Sequence, residues 1–227
     1  MEHLPPHRTL IKPLRGFTLI EMLVVLAIII VLMSIVFSGQ LNFNRTLSLN
    51  NTAYDIALTL RQAQSYGLSS QTFFHVNNPG YGVYFQKAAP TSYIFFSDIY
   101  PAVSAGAQPD VRPGNSIYDA TDSNSDGIPD ELVQTYSLNN GFTLSAFCVY
   151  ATGPGRVCTT GSLTALSVTF SRPNAITTIK GNTGSWGTYT NACIKMSSLN
   201  GDTRYISVSQ TGEVQAGAST IDTLTCP

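Results

Sequence analysis

Charged side chains are scarce in this chain: they make up 11% of its 227 residues, and the formal net charge is −1 at pH 7. That balance disfavours a basic nucleic-acid surface and an acidic disordered tail. The chain has three histidines and four cysteines, and no two cysteines stand in Cys-x-x-Cys spacing. A multi-histidine or cysteine-based metal site is therefore not expected.

Catalytic constellations are also missing from the sequence. His75 is the only histidine after the first seven residues, so a Ser/His/Asp triad would depend on it. It stands in an alternating, strand-like run, which predicts a surface or half-buried side chain. The glycine-rich segments 152–155 and 181–184 contain proline or lack a following helix, which indicates turns instead of phosphate-binding loops. We predict that the chain is not an enzyme.

One long apolar run contrasts with these absences. Residues 17–37 contain a single charged side chain, Glu21. At about 1.5 Å of rise per residue, a helix of this length crosses a hydrocarbon core of roughly 30 Å. Arg8, Lys12 and Arg15 precede the run, so the positive-inside rule places the N-terminus in the cytoplasm and the rest of the chain outside. Residues 36–40 form a poor signal-peptidase site, which favours a retained single-pass membrane helix.

The junction before this run carries a specific pattern. Gly16 ends a short basic leader, Phe17 follows it, and Glu21 is the fifth residue after the glycine. The pattern resembles the class III signal of type IV prepilins and type II secretion pseudopilins. The resemblance implies cleavage between Gly16 and Phe17 by prepilin peptidase, followed by N-methylation of Phe17.

Glu21 has a physical interest of its own, because a lone carboxylate in an apolar span costs several kcal/mol unless it finds a partner. The resemblance implies that this partner is the Phe17 amino group of a neighbouring subunit, so that the pair sets the axial register of a filament. The alternative is a carboxylate near the membrane surface that lipid headgroups solvate.

The resemblance and the sequence pattern together predict an α+β pilin fold, in which one long helix packs on an antiparallel β-sheet head. We divide the chain into a leader (1–16), a transmembrane helix (17–38), an amphipathic continuation (39–67) and a β-rich head (68–227). Gly67 is expected to end the helix. Apolar residues that recur at spacings of three and four form the face expected to meet the head: Leu49, Ala53, Ile56, Leu60 and Ala63.

The head is predicted from short β-type runs separated by turn residues, and the runs favour one antiparallel sheet or two packed sheets. The layout of one helix followed by many strands resembles the H-type minor pseudopilins and related minor pilins. The predicted strands are 72–76, 81–86, 92–97, 132–137, 142–150, 163–170, 192–197, 204–209 and 213–215.

An acidic segment at 119–131 interrupts these strands and suggests a calcium loop. Counted from Asp122, oxygen-bearing side chains stand at the first, third and fifth positions, and Gly127 stands at the sixth. The twelfth position, Val133, departs from the EF-hand pattern, which has a glutamate there. The alternative is a solvated acidic turn that needs no ion. The predicted ligands are Asp122, Asn124, Asp126, the carbonyl of Ile128, and Asp130.

The four cysteines all follow the membrane run, in the part predicted to be exported, and two disulfides are expected. Four cysteines allow three pairings. We favour Cys148–Cys158, which closes a short loop, and Cys193–Cys226, which ties the C-terminal tail to the sheet as in many pilins.

These features predict a structural filament subunit, either a minor pilin or a pseudopilin, in a type IV pilus or a type II secretion pseudopilus. The implied partners are other pilin-like subunits, prepilin peptidase, the inner-membrane assembly platform and the lipid bilayer. The subunit is expected in the inner membrane and then in a filament in the periplasm or at the cell surface.

Two alternatives remain open, an anchored exported calcium-binding domain and a DNA-uptake minor pilin. DNA uptake is disfavoured, because Glu213 and Gln215 stand where some minor pilins have the two arginines of a Gly-Arg-x-Arg motif.

Overall fold

The computed structural model describes residues 16–69, 72–73, 76–99, 114–122, 125–138, 141–151, 155–172 and 176–218, with the backbone alone at 38–43, 176 and 218. The chain forms two compact units, Met1–Arg45 and Thr46–Pro227. One helix, α1 (Leu19–Leu68), contributes to both units and is 50 residues long, which confirms the predicted long helix.

In the first unit, apolar side chains occupy every face of α1 between Leu19 and Phe37. The span Leu19–Phe37 has a mean hydropathy of 3.1, and none of it is buried within the chain. Thr18 precedes the helix, and its Oγ1 accepts a hydrogen bond from the backbone N–H of Glu21 at 3.3 Å. Thr18 is therefore the N-cap that fixes where α1 begins.

In the second unit, α1 buries one face. The five apolar residues of the predicted face, at 49, 53, 56, 60 and 63, are all 0% exposed, which confirms that prediction. Asn51, Asp55 and Arg61 lie on the exposed side. Each buried leucine or isoleucine contributes roughly 1.5–3 kcal/mol relative to an exposed one, so this face fixes how α1 packs in the second unit.

The described part of the head contains thirteen strands. In chain order they are β1 (Thr72–Phe73), β2 (Val76–Asn77), β3 (Gly80–Gln86), β4 (Ser92–Asp98), β5 (Leu132–Ser137), β6 (Thr143–Tyr150), β7 (Arg156–Cys158), β8 (Ala165–Ser171), β9 (Ile176–Asn182), β10 (Trp186–Tyr189), β11 (Asn191–Ser197), β12 (Thr203–Ser209) and β13 (Val214–Ala218).

These strands form two main antiparallel sheets and a small hairpin. The larger sheet has six strands in the order β10-β9-β8-β3-β4-β5, and the other has five in the order β13-β12-β11-β6-β7. β1 and β2 pair only with each other among the described strands. One core cluster joins the buried face of α1 to both sheets, through residues such as Phe85 on β3, Phe170 on β8 and Phe147 on β6.

Three strands were not predicted. β7 is short, β10 follows a turn, and β9 includes Gly181, which we had assigned to a turn. A Cβ at Gly181 would lie 2.8 Å from Leu163 Cδ1 and 3.2 Å from Val149 Cγ2, so the glycine lets side chains of the two sheets meet closely. The actual turn comes later, at Gly184, whose φ is +105°. The run at 72–76 is also corrected, because it divides into β1 and β2.

The predicted helix end at Gly67 is correct to within one residue, but the reason differs. Gly67 lies inside the last turn of α1, and a Cβ there would lie 2.2 Å from the carbonyl oxygen of Phe170. The glycine is required because the helix passes directly against strand β8, not because it closes the helix with a left-handed residue.

Candidate functional site

The predicted cleavage site lies just before α1. Residues 16–18 are not helical, and a Cβ built on Gly16 meets no atom within 4 Å. The side chain of Phe17 is 78% exposed. The Gly16–Phe17 peptide bond is thus outside the helical hydrogen-bond ladder. Arg8, Lys12 and Arg15 lie outside the described residues.

Glu21 lies in the first turn of α1, where its position has a local meaning that our sequence analysis missed. Thr18 and Glu21 have the spacing of a capping box, Thr-x-x-Glu, and the Thr18 half of that box is formed. A carboxylate in the first turn also interacts favourably with the positive end of the helix dipole. Interactions within its own helix therefore already favour a glutamate at position 21.

Apolar side chains surround this single carboxylate. Leu19, Ile20 and Met22 are 84%, 64% and 51% exposed, and apolar residues continue exposed to Phe37. A surface of this extent is unstable in water and requires lipid or other apolar helices around it.

A comparison with family models gives a specific result for this region. Residues 12–37 match the model of the Prokaryotic N-terminal methylation motif. The chain therefore carries the class III signal of a type IV pilin-like or pseudopilin precursor. The motif implies processing by prepilin peptidase, assembly with other pilin-like subunits and anchoring in a membrane. No curated protein and no solved structure matches the chain.

The acidic loop of the head contains two side chain-to-backbone turns. The carboxylate of Asp122 accepts the N–H groups of Asp126 at 3.3 Å and Gly127 at 2.8 Å. The carboxylate of Asp126 accepts the N–H of Ile128 at 2.8 Å. Gly127 has a φ of +86°, the sharp-turn conformation that the calcium pattern assigns to its glycine.

The remaining predicted calcium ligands differ in exposure and are only partly described. Asp130 is 4% exposed while the Ile128 side chain is 57% exposed, and Asn124 lies outside the described residues. Within the described part of the chain, no three His, Cys, Asp or Glu side chains are grouped so that they could hold a metal ion. Calcium binding by this loop stays a prediction, and the hydrogen bonds present are equally those of the solvated acidic turn.

Two buried carboxyl groups, Asp98 and Glu131, lie where β4 ends and β5 begins, and the sequence analysis did not single them out. Each is 2% exposed. Asp98 accepts the N–H of Ser116 at 2.9 Å, and Glu131 accepts the N–H groups of Ile99 at 3.0 Å and Asp119 at 2.7 Å. The two carboxyl groups thus hold the segment after residue 114 against the end of the six-stranded sheet.

Burial changes the acidity of both groups. Desolvation raises the pKa of Asp98 to about 7, although the N–H of Ser116 and the charge of Lys180 act in the opposite direction. Desolvation, together with the nearby charge of Asp98, raises the pKa of Glu131 to about 8. Near neutral pH at least one of these carboxyl groups is therefore protonated in the folded head.

The other predicted head residues fall partly inside the described region. Cys148 and Cys158 form the predicted disulfide. Cys193 is disulfide-bonded as well, while Cys226 and His75 lie outside the described residues.

The residues at the position of the Gly-Arg-x-Arg motif interact with each other. The Gln215 side-chain amide donates to the carboxylate of Glu213 at 2.7 Å. This part of the surface therefore presents a carboxylate and an amide at the positions where two guanidinium groups would face DNA.

We expect calcium to raise the melting temperature of the head. The three ligand carboxylates, Asp122, Asp126 and Asp130, repel each other without a cation, and an ion that binds only the folded loop stabilises it by mass action. At about 100 times the dissociation constant the gain is roughly 2.7 kcal/mol, or about 5–10 °C for a chain of this size. Fluorescence of Trp186, the only tryptophan, reports melting of the head in the detergent-solubilised full chain.

The matched variants for the calcium test are Asp126→Asn in the loop and Asp202→Asn, an exposed carboxylate in the β11–β12 turn. We expect the first to lose the calcium response and the second to keep it. Equal melting of the parent with calcium and with excess chelator would leave the solvated turn as the correct account.

We also expect the stability of the head to fall as pH rises from about 4 to about 7. The unfolded chain releases the Asp98 proton near the ordinary pKa of 3.8, whereas the folded chain keeps it until about pH 7. Asp98 alone therefore removes up to about 1.4 kcal/mol of stability per pH unit in that window. Glu131, whose pKa is raised to about 8, acts in the same direction. In Asp98→Asn this dependence should weaken, and the exposed Asp202→Asn should behave as the parent. Melts by Trp186 fluorescence between pH 4 and 8 measure it, and an unchanged slope in Asp98→Asn would contradict the assignment.

Proposed function

We propose that this chain is a structural subunit of a type IV pilus or type II secretion pseudopilus, assembled after cleavage between Gly16 and Phe17. The observation that carries the proposal is the combination found at the N-terminus. A prepilin-type motif covers residues 12–37, and no residue of the apolar helical span within it is buried in the chain. A helix that must be covered by lipid before assembly can be covered by neighbouring copies of the same helix afterwards.

Cleavage itself supplies the charge that Glu21 needs. Removal of the leader leaves a free α-amino group on Phe17, at the start of α1. A cation is disfavoured there, because the N-terminal end of a helix already carries a partial positive charge. A carboxylate from a neighbouring helix relieves this repulsion. The pairing also offsets the free-energy cost of burying that carboxylate in an apolar environment. In the proposed filament, Glu21 of one subunit therefore pairs with Phe17 of the next and fixes the axial register.

The head supports a role as a minor subunit of the H-type class. Its layout is one long helix followed by two antiparallel sheets, and the described part of the chain groups no three metal-binding side chains around one ion. We assign it a packing and recognition role at the filament surface. In the alternative of an anchored calcium-binding domain, the leader is retained or the chain is cut beyond the membrane helix, so the mature N-terminus separates the two functions.

We expect the mature protein to begin at Phe17 when prepilin peptidase is present, and we expect Gly16→Val to block cleavage. The space around a Cβ at Gly16 is open, so the substitution should leave the fold intact and act on the peptidase alone. Gly155→Val is the matched control, because a Cβ there also meets no atom within 4 Å. Intact mass and N-terminal sequencing give the answer. A parent chain that still starts at Met1, or one that starts beyond Phe37, would refute the proposal.

We expect Glu21→Gln to impair incorporation into filaments by at least tenfold while the melting temperature of the head stays unchanged. Glutamine keeps the capping-box hydrogen-bonding capacity and removes the charge, so the variant separates register from helix capping. Thr18→Ala makes the opposite change, since it removes the cap and keeps the carboxylate. The measurement compares the amounts of each variant in sheared filaments and in membranes. Normal incorporation of Glu21→Gln would exclude the register role, and a loss in Thr18→Ala alone would then assign this turn to helix capping.

A further inference from the structure

Among the described strands, the edges of the two main sheets are formed by β10 and β5 in the six-stranded sheet and by β13 and β7 in the five-stranded sheet. β7 and β10 are short, with three and four residues. The edge of β13 is covered by α1, because the guanidinium group of Arg61 donates to the carbonyl of Val214 at 3.1 Å. A short edge strand and a covering helix both protect a sheet from pairing with other chains.

Strand β5 has neither of these protections. It contains six residues, none of them charged and none a proline, and no described strand pairs with its outer side. A register shift opposite Phe95 and Phe96 disturbs its first half and leaves residues 134–137 as the regular part. This part of β5 can therefore pair with a further strand.

The backbone groups of Thr135 and Ser137 point outward from this edge. The N–H of Leu138 donates to the carbonyl of Thr91 at 2.7 Å, so residue 138 bonds toward β4. The direction of bonding alternates along an antiparallel strand, and the register of β5 with β4 is regular between residues 134 and 137. Residues 135 and 137 therefore each direct one donor and one acceptor away from β4.

A groove of about 470 Å³ lies between the end of β5 and the exposed side of α1. Asn51, Asp55 and Leu58 line it from the helix, and Tyr136 and Ser137 line it from the strand. Asp55 is exposed, and the side chain of Leu58 is 57% exposed. The volume lies within the range of about 300–1,000 Å³ that is typical of binding sites. The groove therefore has room for side chains of a strand added to β5.

Tyr136 forms a firmly held wall of this groove. Its ring stacks on the ring of Tyr93, with the centroids 5.1 Å apart and an angle of 14° between the planes. The Tyr93 hydroxyl shares a hydrogen bond of 3.2 Å with Oγ1 of Thr59 on α1. Tyr93 and Tyr136 are register partners, so both side chains lie on the face of the sheet that meets α1. A residue added opposite Tyr136 would face α1 as well.

We propose that the groove between β5 and α1 binds an extended peptide segment of a partner protein, which adds a strand to the six-stranded sheet. Alternate residues of the segment bond to the backbone of Thr135 and Ser137, and the residues between them face α1. There Leu58 and the ring of Tyr136 contact apolar side chains. Asp55 is the only charged side chain that lines the groove, so a segment with a basic residue is favoured and an acidic segment is disfavoured.

The test uses the full chain in detergent and a library of fluorescent pentapeptides, Ac-X-Thr-Z-Thr-Val-NH2, in which X and Z vary independently over the standard amino acids. Thr135→Pro removes an outward N–H without removing a bond to β4, and Thr135→Val keeps that N–H. We expect peptides with one basic and one apolar residue at X and Z to bind the parent and Thr135→Val at least about tenfold more tightly than Thr135→Pro. Fluorescence anisotropy measures the binding, and the shared detergent cancels binding to micelles.

N-methylation of the tightest peptide tests the strand geometry without any change to the protein. In the added strand the N–H groups of the second and fourth peptide residues bond to β5, whereas that of the third points away. We expect N-methylation at the second or fourth residue to weaken binding at least about tenfold, and at the third by less than about threefold. Equal losses at the three positions would overturn the proposal, and this result does not depend on how well Thr135→Pro folds.

The charge preference has its own matched pair of variants. Asp55→Asn should weaken the binding of lysine-containing peptides by about two- to fivefold, the effect of an exposed ion pair, and leave neutral peptides unchanged. The exposed Asp202→Asn should behave as the parent.

Two outcomes of the library measurement contradict the proposal. If no peptide distinguishes Thr135→Val from Thr135→Pro while both variants keep the Trp186 melt of the parent, β5 does not bind an added strand. If the parent binds no peptide but forms dimers that Thr135→Pro abolishes, the edge belongs to a second copy of the chain, and the peptide proposal is wrong.

Discussion

The exposed apolar surface of Leu19–Phe37 is the constraint on which the rest of the molecule depends. None of this span is covered by the chain itself, so it has to be covered by lipid or by other helices. A bilayer meets that requirement, in agreement with the N-terminal methylation motif that covers the span. This span can leave the bilayer only if another apolar surface covers it. Other helices of the same kind offer it, and the proposed filament would repeat this contact.

Helix α1 meets its apolar requirement differently in the two units. Between residues 46 and 68 it is amphipathic, and a face of small and branched side chains packs into the core of the head. Gly67 shows how closely, since even a methyl group there would collide with the backbone of β8. Between Leu19 and Phe37 no residue of α1 is buried within the chain. The stability of the head therefore depends on contacts within the chain, whereas the energy of the N-terminal span depends on its surroundings, and substitutions in the two regions affect different measurements.

Local patterns were enough to predict the helix, its buried face, the N-terminal motif and nine of the strand regions. The features that were missed depend on residues distant in sequence. Asp98 and Glu131 are buried because the segment after residue 114 covers them, and no local pattern indicates that. Gly181 was predicted to lie in a turn because it belongs to the glycine-rich run 181–184. Its place in a strand depends on close contacts with Val149 and Leu163, which are distant in sequence. The exposed edge of β5 follows from the strand order of the six-stranded sheet, which the sequence pattern did not determine.

Leader cleavage changes the charge at the start of α1 in a direction that favours assembly in the proposed filament. Before cleavage, Arg8, Lys12 and Arg15 precede the apolar span, and moving the helix into a tightly packed apolar environment would bury or displace three cations. Each unpaired buried cation costs several kcal/mol. After cleavage, one α-amino group remains, and a single carboxylate can neutralise it. Glu21 is the only carboxylate in the apolar span, and Thr18 anchors the first helical turn that contains it. Removing the leader therefore exchanges a charge pattern that anchors the helix in the membrane for one that a neighbouring subunit can complete.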